Sequence, residues 1–401
     1  MKHEQQGPSL RPEIGLLTDH YEMTMLEACL ADGTARAGAV FELFTRSIPE
    51  SRSFGVVAGI DRAMDAIVNF GFGPTELEFL ERTGVVSAPT CEYLSRFKFA
   101  GSVRGIPEGG LFFGQTPILE VRGELAQCLI LETVLLSILN FDSSVASAAS
   151  RMVIASRGRP VIEMGSRRTH ELAAVAGARA AYIAGCVATS NLEAGRSFGI
   201  PTVGTAAHSF ILAHDSEEGA FRSQLAAQGR SSTYLVDTYD TEQGIRAAVA
   251  VVGTQLGAIR LDSGNPITES HRARQLLDSL GATSTRIIVS GDLDEFAIAG
   301  LKDAPIDGFG VGTRLINGSG FPTCNFVYKL VEIGDPPFAR GVSKNSEGKA
   351  SFAGAKKPLR GFDNDGKLCL EVLGCDAEDE LDFEPTFGAS RFTSIHRDLI
   401  P

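Results

Sequence analysis

Short apolar segments alternate with helical patterns through the middle and second half of this chain. After Arg159-Pro160 these segments begin about 20 to 30 residues apart, which is the spacing that consecutive βα units require. Six such steps favour an irregular or partial α/β (TIM-like) barrel over a sandwich. The predicted strands are Val161–Met164, Ile183–Cys186, Pro201–Thr205, Tyr234–Asp237, Ala258–Asp262, Arg286–Ser290 and Gly308–Val311.

A different pattern precedes this region and predicts a second, α+β domain. Helical stretches such as Tyr21–Ala31 are mixed with an alternating strand, Ala39–Arg46. A long helical pattern then begins at Glu124 and places a boundary near residue 125. We expect a flexible tail at 1–15, an N-terminal domain at 16–125 that is joined by roughly 336–401 of the C-terminal chain, and the barrel at 126–335.

Composition and charge exclude several classes of protein. The chain has 37 Lys and Arg residues against 49 Asp and Glu residues, so its formal net charge of −12 argues against a nucleic-acid or anionic-membrane surface. Its seven cysteines form no C-x-x-C pair, which predicts no disulfide framework and fits a cytoplasmic protein. The N-terminal residues lack the apolar core of a signal peptide, and Glu132 and Arg179 interrupt the most apolar windows, so we expect no transmembrane helix.

Polar and glycine-rich sequences follow the predicted strands, where α/β barrels build their sites. Arg167-Arg168 is suited to bidentate binding of a carboxylate or phosphate, and a surface ion pair is the alternative. Gly310-x-Gly312-Thr313 brings backbone N–H groups to a phosphate, unless it is an ordinary turn. Asp262 suits a ribose hydroxyl or a metal-bound diphosphate, unless it caps the next helix.

Two further residues, His208 and Tyr21, each have more than one role that fits the sequence. His208 precedes an apolar run and is predicted to open a helix, where its ring acts as nucleophile, acid or base, or is structural. Tyr21 is an interfacial aromatic by periodicity, in the core or at its rim. The sequence contains no H-E-x-x-H or other metal-ligand pattern. Together these residues indicate an enzyme for a small, phosphorylated, anionic substrate.

Six short motifs occur in a fixed order between Leu16 and about Ile333. They are Leu17–Tyr21 with Met23–Met25, Glu163–Arg168, Gly204–Ser209, Ile259–Gly264, Gly310–Thr313 and Tyr328–Val331. In this order they resemble the nicotinate phosphoribosyltransferase family of type II phosphoribosyltransferases. Any one of the motifs is common in proteins, whereas the six in register are specific.

The resemblance implies roles for individual residues. Tyr21 is similar to the aromatic that stacks on the pyridine ring, in the family often across a dimer interface. Arg167 or Arg168 resembles the partner of the nicotinate carboxylate, and Asp262 resembles the catalytic acid near the ribose and the magnesium diphosphate. His208 resembles the histidine that ATP phosphorylates. Further implied contacts are those of Thr189, Asn191 and Ser209 with substrate and of Gly291, Gly310, Gly312 and Thr313 with phosphate.

The family also implies the reaction. Its members make nicotinate mononucleotide and pyrophosphate from nicotinate and 5-phosphoribosyl 1-pyrophosphate, with coupled ATP hydrolysis, in NAD salvage. The resemblance also implies that Mg²⁺ is held largely by substrate oxygens and that the enzyme is a homodimer. The family usually has a second acid where this chain has Asn265. The alternatives are a nicotinamide phosphoribosyltransferase, whose substrate is neutral, a quinolinate phosphoribosyltransferase, which would need more basic residues, and a non-catalytic nucleotide-binding relative.

Overall fold

The structure is a computed structural model that describes residues 14–346, 351–375, 389 and 391–400. The chain packs into two compact units. Unit 1 takes the described residues of Met1–Asn140 and Cys324–Pro401, and unit 2 takes Phe141–Thr323. The boundaries expected near 125 and 335 fall at 140 and 323, and the first of them lies within the helix Glu132–Ala155. Residues 1–13 of the expected tail lie outside the described residues.

Up to residue 155 the helices are α1 (His20–Asp32), α2 (Ile60–Val68), α3 (Pro74–Thr83), α4 (Ala88–Ser95), α5 (Leu125–Leu129) and α6 (Glu132–Ala155). The strands of this part are β1 (Gly38–Thr45), β2 (Gly55–Val56), β3 (Ser102–Gly105), β4 (Leu111–Phe112) and β5 (Leu119–Glu124). Unit 1 therefore combines helices with strands, as predicted for an α+β domain.

Between residues 156 and 323 the strands are β6 (Val161–Glu163), β7 (Ala188–Thr189), β8 (Thr233–Leu235), β9 (Ala258–Leu261), β10 (Arg286–Gly291) and β11 (Gly308–Val311). The helices are α7 (Glu171–Ile183), α8 (Leu192–Phe198), α9 (His208–Leu212), α10 (Glu217–Gln228), α11 (Thr241–Val252), α12 (Pro266–Ser279), α13 (Glu295–Gly300) and α14 (Thr313–Ile316). The described C-terminal strands are β12 (Phe326–Ile333), β13 (Arg340–Gly341), β14 (Lys356–Phe362), β15 (Leu368–Cys375), β16 (Arg391–Ser394) and β17 (Arg397–Ile400).

The main sheet of unit 1 joins the two ends of the chain. Its strand order is β13-β12-β1-β5-β3-β17, and β1 is antiparallel to both β12 and β5. Strand β1 is buried along almost its whole length, as its apolar composition predicts. Across the β1–β12 pair, Phe41 stacks on Tyr328 with ring centroids 4.7 Å apart, and the Tyr328 hydroxyl donates to the Cys128 carbonyl at 3.1 Å.

Unit 2 contains a six-stranded parallel sheet in the order β7-β6-β11-β10-β9-β8. Strands that follow each other along the chain are neighbours in this sheet except for β7 and β8, which form its two edges. Such an order is that of a barrel opened between β7 and β8. The predicted fold class, a partial α/β barrel with a second α+β domain from both ends of the chain, is confirmed.

Two of the predicted barrel strands are wrong. At Ile183–Cys186, helix α7 continues to Ile183 and the chain then turns at Gly185, whose φ of +105° favours glycine. The actual strand, β7, begins at Ala188. The alanine-rich sequence of α7 explains the error, because apolar runs do not by themselves distinguish a buried strand from a helix end.

The segment Pro201–Thr205 also fails to form a strand. It makes a single parallel bridge, between Thr202 and Thr189 at the edge of the sheet. Pro201 has no N–H to donate, Gly204 is unfavourable in a strand, and Val203 is 41% exposed. The half-barrel is therefore open at the place where this strand was expected to close it.

The helical stretch Leu125–Ala155 is the one part of the described chain with the length and hydropathy of a membrane span. Within its most apolar window, 61% of the residues are buried inside the protein. A core helix of a globular protein has the same composition, so this stretch is weak evidence for a membrane.

Candidate active site

A hollow of about 420 Å³ lies at the carboxyl ends of the strands of the half-barrel in unit 2. This volume is within the range of small-molecule sites, and parallel strands bring their following loops together at this edge. Seven of the residues singled out in the sequence line it: Arg167, Arg168, Asp262, Gly291, Gly310, Gly312 and Thr313. The prediction that the strand-end loops meet around one hollow therefore agrees with the structure.

The arginine turn, Ser166–Arg168, is a single 3₁₀ turn directly after β6. Both arginines are exposed, and within the described part of the chain neither guanidinium has a hydrogen-bond or ion-pair partner. The surface ion pair considered for them is not formed there. Two unpaired guanidinium groups on the wall of a hollow are suited to an anionic ligand.

Asp262 directly follows β9, and each of its oxygens has a separate environment. Oδ1 accepts from Arg260 Nη2 at 2.7 Å and from the Ser290 hydroxyl, whereas Oδ2 lies 3.9 Å from His208 Nε2. Burial alone would raise the pKa of the carboxyl group, but the Ser290 hydrogen bond and the Arg260 charge lower it below its usual value. Asp262 is thus held as a carboxylate at neutral pH.

Asn265, not Asp262, caps the helix that follows. Its side-chain oxygen accepts from the N–H groups of Ile267 and Thr268 at the start of α12. The residue that departs from the family pattern therefore has a structural role here. Asp294, after the neighbouring strand β10, does cap a helix, because its side chain accepts from the N–H groups of Phe296 and Ala297 at the start of α13.

Arg260 is a member of the hollow that the sequence reasoning did not single out. Its side chain is 15% exposed and donates to Thr205 Oγ1 at 2.9 Å, to Ser290 Oγ at 2.7 Å and to Asp262. An arginine inside the apolar strand Ala258–Leu261 was the available signal, since a buried charge requires partners. Ser166, Ser190 and Ser290 also line the hollow and carried no signal of their own.

His208 is the first residue of α9, as predicted. Its Nδ1 lies 3.2 Å from Thr238 Oγ1, its Nε2 faces Asp262, and 42% of its side chain is exposed. The two residues before it, Ala206 and Ala207, line the hollow. The imidazole is therefore held between two polar groups beside the hollow while one part remains open to solvent.

Close packing at Gly310 and a positive φ at Gly291 account for two glycines at this edge of the sheet. A side chain at Gly310 would place its Cβ 2.8 Å from Met164 Sδ and 3.1 Å from Ser290 Cβ. Gly291 ends β10 with a φ of +137°, which other residues rarely adopt. Thr313 begins α14, and the Gly312 N-cap offers its N–H groups no side-chain acceptor. Backbone N–H groups can approach an anion closely at such a turn.

Three predicted substrate contacts do not line the hollow. Thr189 is 1% exposed, and its hydroxyl donates to Glu163 Oε2 at 2.5 Å. Asn191 caps α8 by accepting from Ala194 N–H at 2.8 Å and donates to Ser166 Oγ at 3.0 Å. Ser209 is exposed on α9. The contacts of Thr189, Asn191 and Ser209 with substrate stay predictions. The residue of this loop that lines the hollow is Ser190, which lies between Thr189 and Asn191.

Tyr21 belongs to unit 1, where it lies on α1 and is 44% exposed. The pKa of its hydroxyl lies well above the usual value. Partial burial is the largest cause, and the negative charges of the nearby Glu132 and Glu22 carboxylates add to it. The phenol is therefore neutral at physiological pH. The predicted stacking of its ring on a pyridine stays a prediction.

Glu22, the next residue of α1, has no solvent exposure. Its Oε1 accepts from the backbone N–H of Thr133 at 2.9 Å and from the Thr133 hydroxyl, and its Oε2 accepts from the Thr18 hydroxyl. Burial raises the pKa of the carboxyl group to about 7, although the Thr133 hydrogen bonds act in the opposite direction. The folded protein thus binds this proton more tightly than the unfolded chain does.

We expect Glu22 to make stability depend on pH. Because its pKa is 4.5 in the unfolded chain and about 7 in the folded protein, the stabilisation is complete below pH 4.5 and is lost as the pH rises through 7. In Glu22→Gln this dependence disappears, so the unfolding free energy of the wild type should fall relative to the variant by about 3 kcal/mol across that window. Urea titrations of both proteins at a series of pH values measure this change. A difference in unfolding free energy between wild type and variant that stays constant with pH would contradict the prediction.

Mg²⁺, which the family resemblance implies, fits this site only as a metal shared with substrate. Among the described residues no group of three or more His, Cys, Asp and Glu side chains could hold a metal ion. Asp262 Oδ2 is outside the hydrogen bonds with Arg260 and Ser290, and Asp237 has a buried oxygen with no hydrogen-bond partner. Mg²⁺ commonly takes one or two carboxylates and completes its shell with substrate phosphate oxygens and water. Asp262 would be the protein ligand.

Comparison with known sequences and structures agrees with this geometry. Residues 16–140 match the nicotinate phosphoribosyltransferase (NAPRTase) N-terminal domain, and residues 160–351 match the nicotinate phosphoribosyltransferase (NAPRTase) family. The chain belongs to the nicotinate phosphoribosyltransferase family. The resemblance noted in its motifs is therefore confirmed.

Individual members of the family are similar along most of their length. Nicotinate phosphoribosyltransferase pncB1 of Mycobacterium tuberculosis is 50% identical over 374 residues, which cover 91% of this chain and 82% of the relative. The nicotinate phosphoribosyltransferase of Bacillus subtilis is 38% identical over 359 residues, which cover 86% and 73%. A crystal structure of nicotinate-nucleotide pyrophosphorylase from Pyrococcus furiosus has a TM-score of 0.79 at 26% identity and covers 100% of this chain and 92% of that one.

Proposed function

We propose that this chain is a nicotinate phosphoribosyltransferase that forms nicotinate mononucleotide and pyrophosphate from nicotinate and 5-phosphoribosyl 1-pyrophosphate. The observation that carries the proposal is one hollow that combines unpaired arginines, a carboxylate and a close-packed glycine turn. These groups match the carboxylate, the ribose diphosphate and the 5′-phosphate of the two substrates. Family membership and 50% identity to a nicotinate phosphoribosyltransferase support the same activity.

The arginine turn would select the pyridine substrate. The carboxylate of nicotinate accepts paired hydrogen bonds from one guanidinium, Arg167 or Arg168, and this holds the ring nitrogen toward the sugar. Ser190, on the neighbouring loop, supplies no carboxylate that would accept hydrogen bonds from an amide. This arrangement favours nicotinate over neutral nicotinamide.

The glycine turn and Asp262 would hold the activated sugar. Gly310, Gly312 and Thr313 bind the 5′-phosphate through backbone N–H groups and a hydroxyl, and Gly291 lets the diphosphate approach the sheet edge. The pyridine nitrogen then forms the bond to C1 as the C1–diphosphate bond breaks. Asp262 stabilises the positive charge that develops on the sugar, and Mg²⁺, when bound, neutralises charge on the leaving diphosphate.

ATP coupling would act through His208. The ring nitrogen attacks the γ-phosphorus of ATP, which leaves ADP and a phosphohistidine, and hydrolysis of the phosphohistidine drives nucleotide synthesis. Thr238 and Asp262 flank the ring and fix its orientation. We also propose that the enzyme is a cytoplasmic homodimer of NAD salvage, in which Tyr21 of one protomer stacks on the pyridine ring.

A turnover assay tests the proposed function. The purified chain is incubated with 5-phosphoribosyl 1-pyrophosphate and Mg²⁺, together with nicotinate, nicotinamide or quinolinate, each with and without ATP, and the products are separated by chromatography. We expect nicotinate mononucleotide and pyrophosphate from nicotinate, in larger yield with ATP. Turnover of nicotinamide or quinolinate alone, or binding without turnover, contradicts the proposal.

We expect Arg167→Ala or Arg168→Ala to raise the KM for nicotinate by about tenfold to a hundredfold, since each lost charged hydrogen bond weakens binding substantially. Steady-state kinetics at saturating sugar substrate measure the effect. Arg196→Ala is the control, because Arg196 is an exposed arginine of the same unit whose partner is Glu193. If neither variant of the turn changes this KM, the carboxylate is bound elsewhere.

A further inference from the structure

Glu163 is a buried acid at the end of β6 that the proposed reaction does not use. Its side chain is 1% exposed. Burial raises the pKa of its carboxyl group, while hydrogen bonds from Thr189 and from the Gly165 N–H lower it. A buried carboxyl group is tolerated only where its oxygens have hydrogen-bond partners. The identity of these partners therefore shows what Glu163 holds.

Each oxygen of Glu163 binds a different loop of the hollow. Oε1 accepts the N–H of Gly165, which directly precedes the arginine turn. Oε2 accepts the Thr189 hydroxyl at 2.5 Å, at the end of β7. A Cβ at Gly165 would lie 2.9 Å from Oε1, so the chain packs directly on the carboxyl group at this point. One side chain thus connects the loops that follow two neighbouring strands.

A second set of hydrogen bonds connects the same loops farther from the sheet. The Thr189 hydroxyl accepts from Asn191 N–H at 2.9 Å, and Asn191 Nδ2 donates to Ser166 Oγ at 3.0 Å. Ser166 directly precedes Arg167, and Ser190 lies between the two residues of the opposite loop. The Ser190 N–H donates to the Glu163 carbonyl at 2.9 Å. Together with the peptide bond between Gly165 and Ser166, these hydrogen bonds close a ring that joins two loops of the hollow.

We propose that Glu163 is a positioning residue that, through Thr189 and Asn191, sets the arginine turn against Ser190 and so fixes the place of the nicotinate carboxylate. The inference rests on the proposed function. In this arrangement Thr189 and Asn191 hold the two loops in place and do not contact the substrate themselves. Loss of the ring lets the two loops separate, and the bidentate geometry that an arginine requires is lost with it.

Thr189 offers a matched set of variants. Thr189→Val removes the hydroxyl with little change in shape, and Thr189→Ser restores it. Thr285→Val is the control, because Thr285 is also 1% exposed in the same unit and donates to the Leu256 carbonyl at 2.9 Å, before β10. We expect Thr189→Val to raise the KM for nicotinate about tenfold and the KM for 5-phosphoribosyl 1-pyrophosphate less than threefold.

The restoring variant and the control variant also have defined expected results. Thr189→Ser should return the KM for nicotinate to within about twofold of the wild type, and Thr285→Val should lower Tm without changing either KM. An unchanged KM for nicotinate in Thr189→Val, or an equal rise in Thr285→Val, overturns the inference. A merely structural role for Thr189 predicts the first of these results, a lower Tm with an unchanged KM for nicotinate.

Hydrogen exchange separates this inference from the proposed function, because it needs no turnover. We expect faster exchange of the backbone at 165–168 in Thr189→Val and in Glu163→Gln, which exchanges one acceptor oxygen for a donor, but not in Thr285→Val. Unchanged exchange overturns the coupling of the loops. A further outcome is exchange that responds as expected although the wild type forms no nucleotide from nicotinate. That result upholds the coupling of the two loops by Glu163. It overturns the proposed function and, with it, the binding of a nicotinate carboxylate at the arginine turn.

Discussion

Asp262→Asn should lower kcat by a factor on the order of 10²–10³, the loss expected when a preorganised charge at a developing transition-state charge is removed. The wild-type carboxylate is held ionised by Ser290 and Arg260, and its second oxygen is available to the sugar or to Mg²⁺. The amide keeps the size and one acceptor but removes the negative charge. Steady-state kinetics with saturating nicotinate and 5-phosphoribosyl 1-pyrophosphate measure the change.

Asp294→Asn is the matched control for this variant. Asp294 follows the neighbouring strand β10, but its carboxylate caps α13, and asparagine caps helices equally well. Its kcat should remain within about twofold of the wild type. Thermal unfolding should show that both variants are folded, since Arg260 keeps its hydrogen bonds with Thr205 and Ser290. A kcat for Asp262→Asn within threefold of the wild type would exclude the proposed role.

His208→Ala should abolish the stimulation by ATP and leave slow, ATP-independent synthesis. The imidazole is the acceptor that the proposed coupling requires, and no other histidine of the described chain lies between Thr238 and Asp262. With ATP labelled at the γ-phosphate, the wild type should retain acid-labile label on the protein and the variant should retain none. Nucleotide synthesis with and without ATP is measured on the same samples.

His214→Ala is the control for His208→Ala. His214 lies just after α9, and its ring nitrogen Nδ1 is 2.8 Å from the Phe210 carbonyl, so it belongs to the same local structure without facing Asp262. This variant should keep both the label and the stimulation. Stimulation by ATP that persists in His208→Ala would falsify the phosphohistidine assignment.

The sequence predicted the location of the hollow well, because βα repeats bring all strand ends to one edge. Arg167, Asp262 and Gly312 could be placed there from their positions at the ends of apolar segments alone. It did not predict the Asp262–Ser290 contact, since that depends on the register of β9 with β10, in which Leu261 lies opposite Val289. Register between parallel strands follows from packing, which no local pattern encodes.

Two features could not be predicted because they depend on packing in the folded sheet. Pro201–Thr205 was predicted as a strand of the barrel, but it makes a single bridge, to β7, because a proline and a glycine remove much of its capacity to form a strand. The contact of Thr189 with substrate, which the family resemblance implies, stays a prediction. The side-chain direction at a strand end depends on one residue of register, and the Thr189 hydroxyl points to Glu163, whose burial only the folded chain reveals.

The pairing of β1 with β12 has a consequence for the synthesis of this protein. Strand β1 leaves the ribosome early, whereas β12 follows only after all of Phe141–Thr323 has been made. At about 5–20 residues per second, those roughly 180 residues take about 10 to 40 s. During that interval one apolar edge of β1 has no neighbour and is open to other nascent chains, while the uninterrupted half-barrel can complete its own sheet. Chaperone capture of the growing polypeptide is therefore expected to centre on the N-terminal strand, and to end when the last part of the chain emerges.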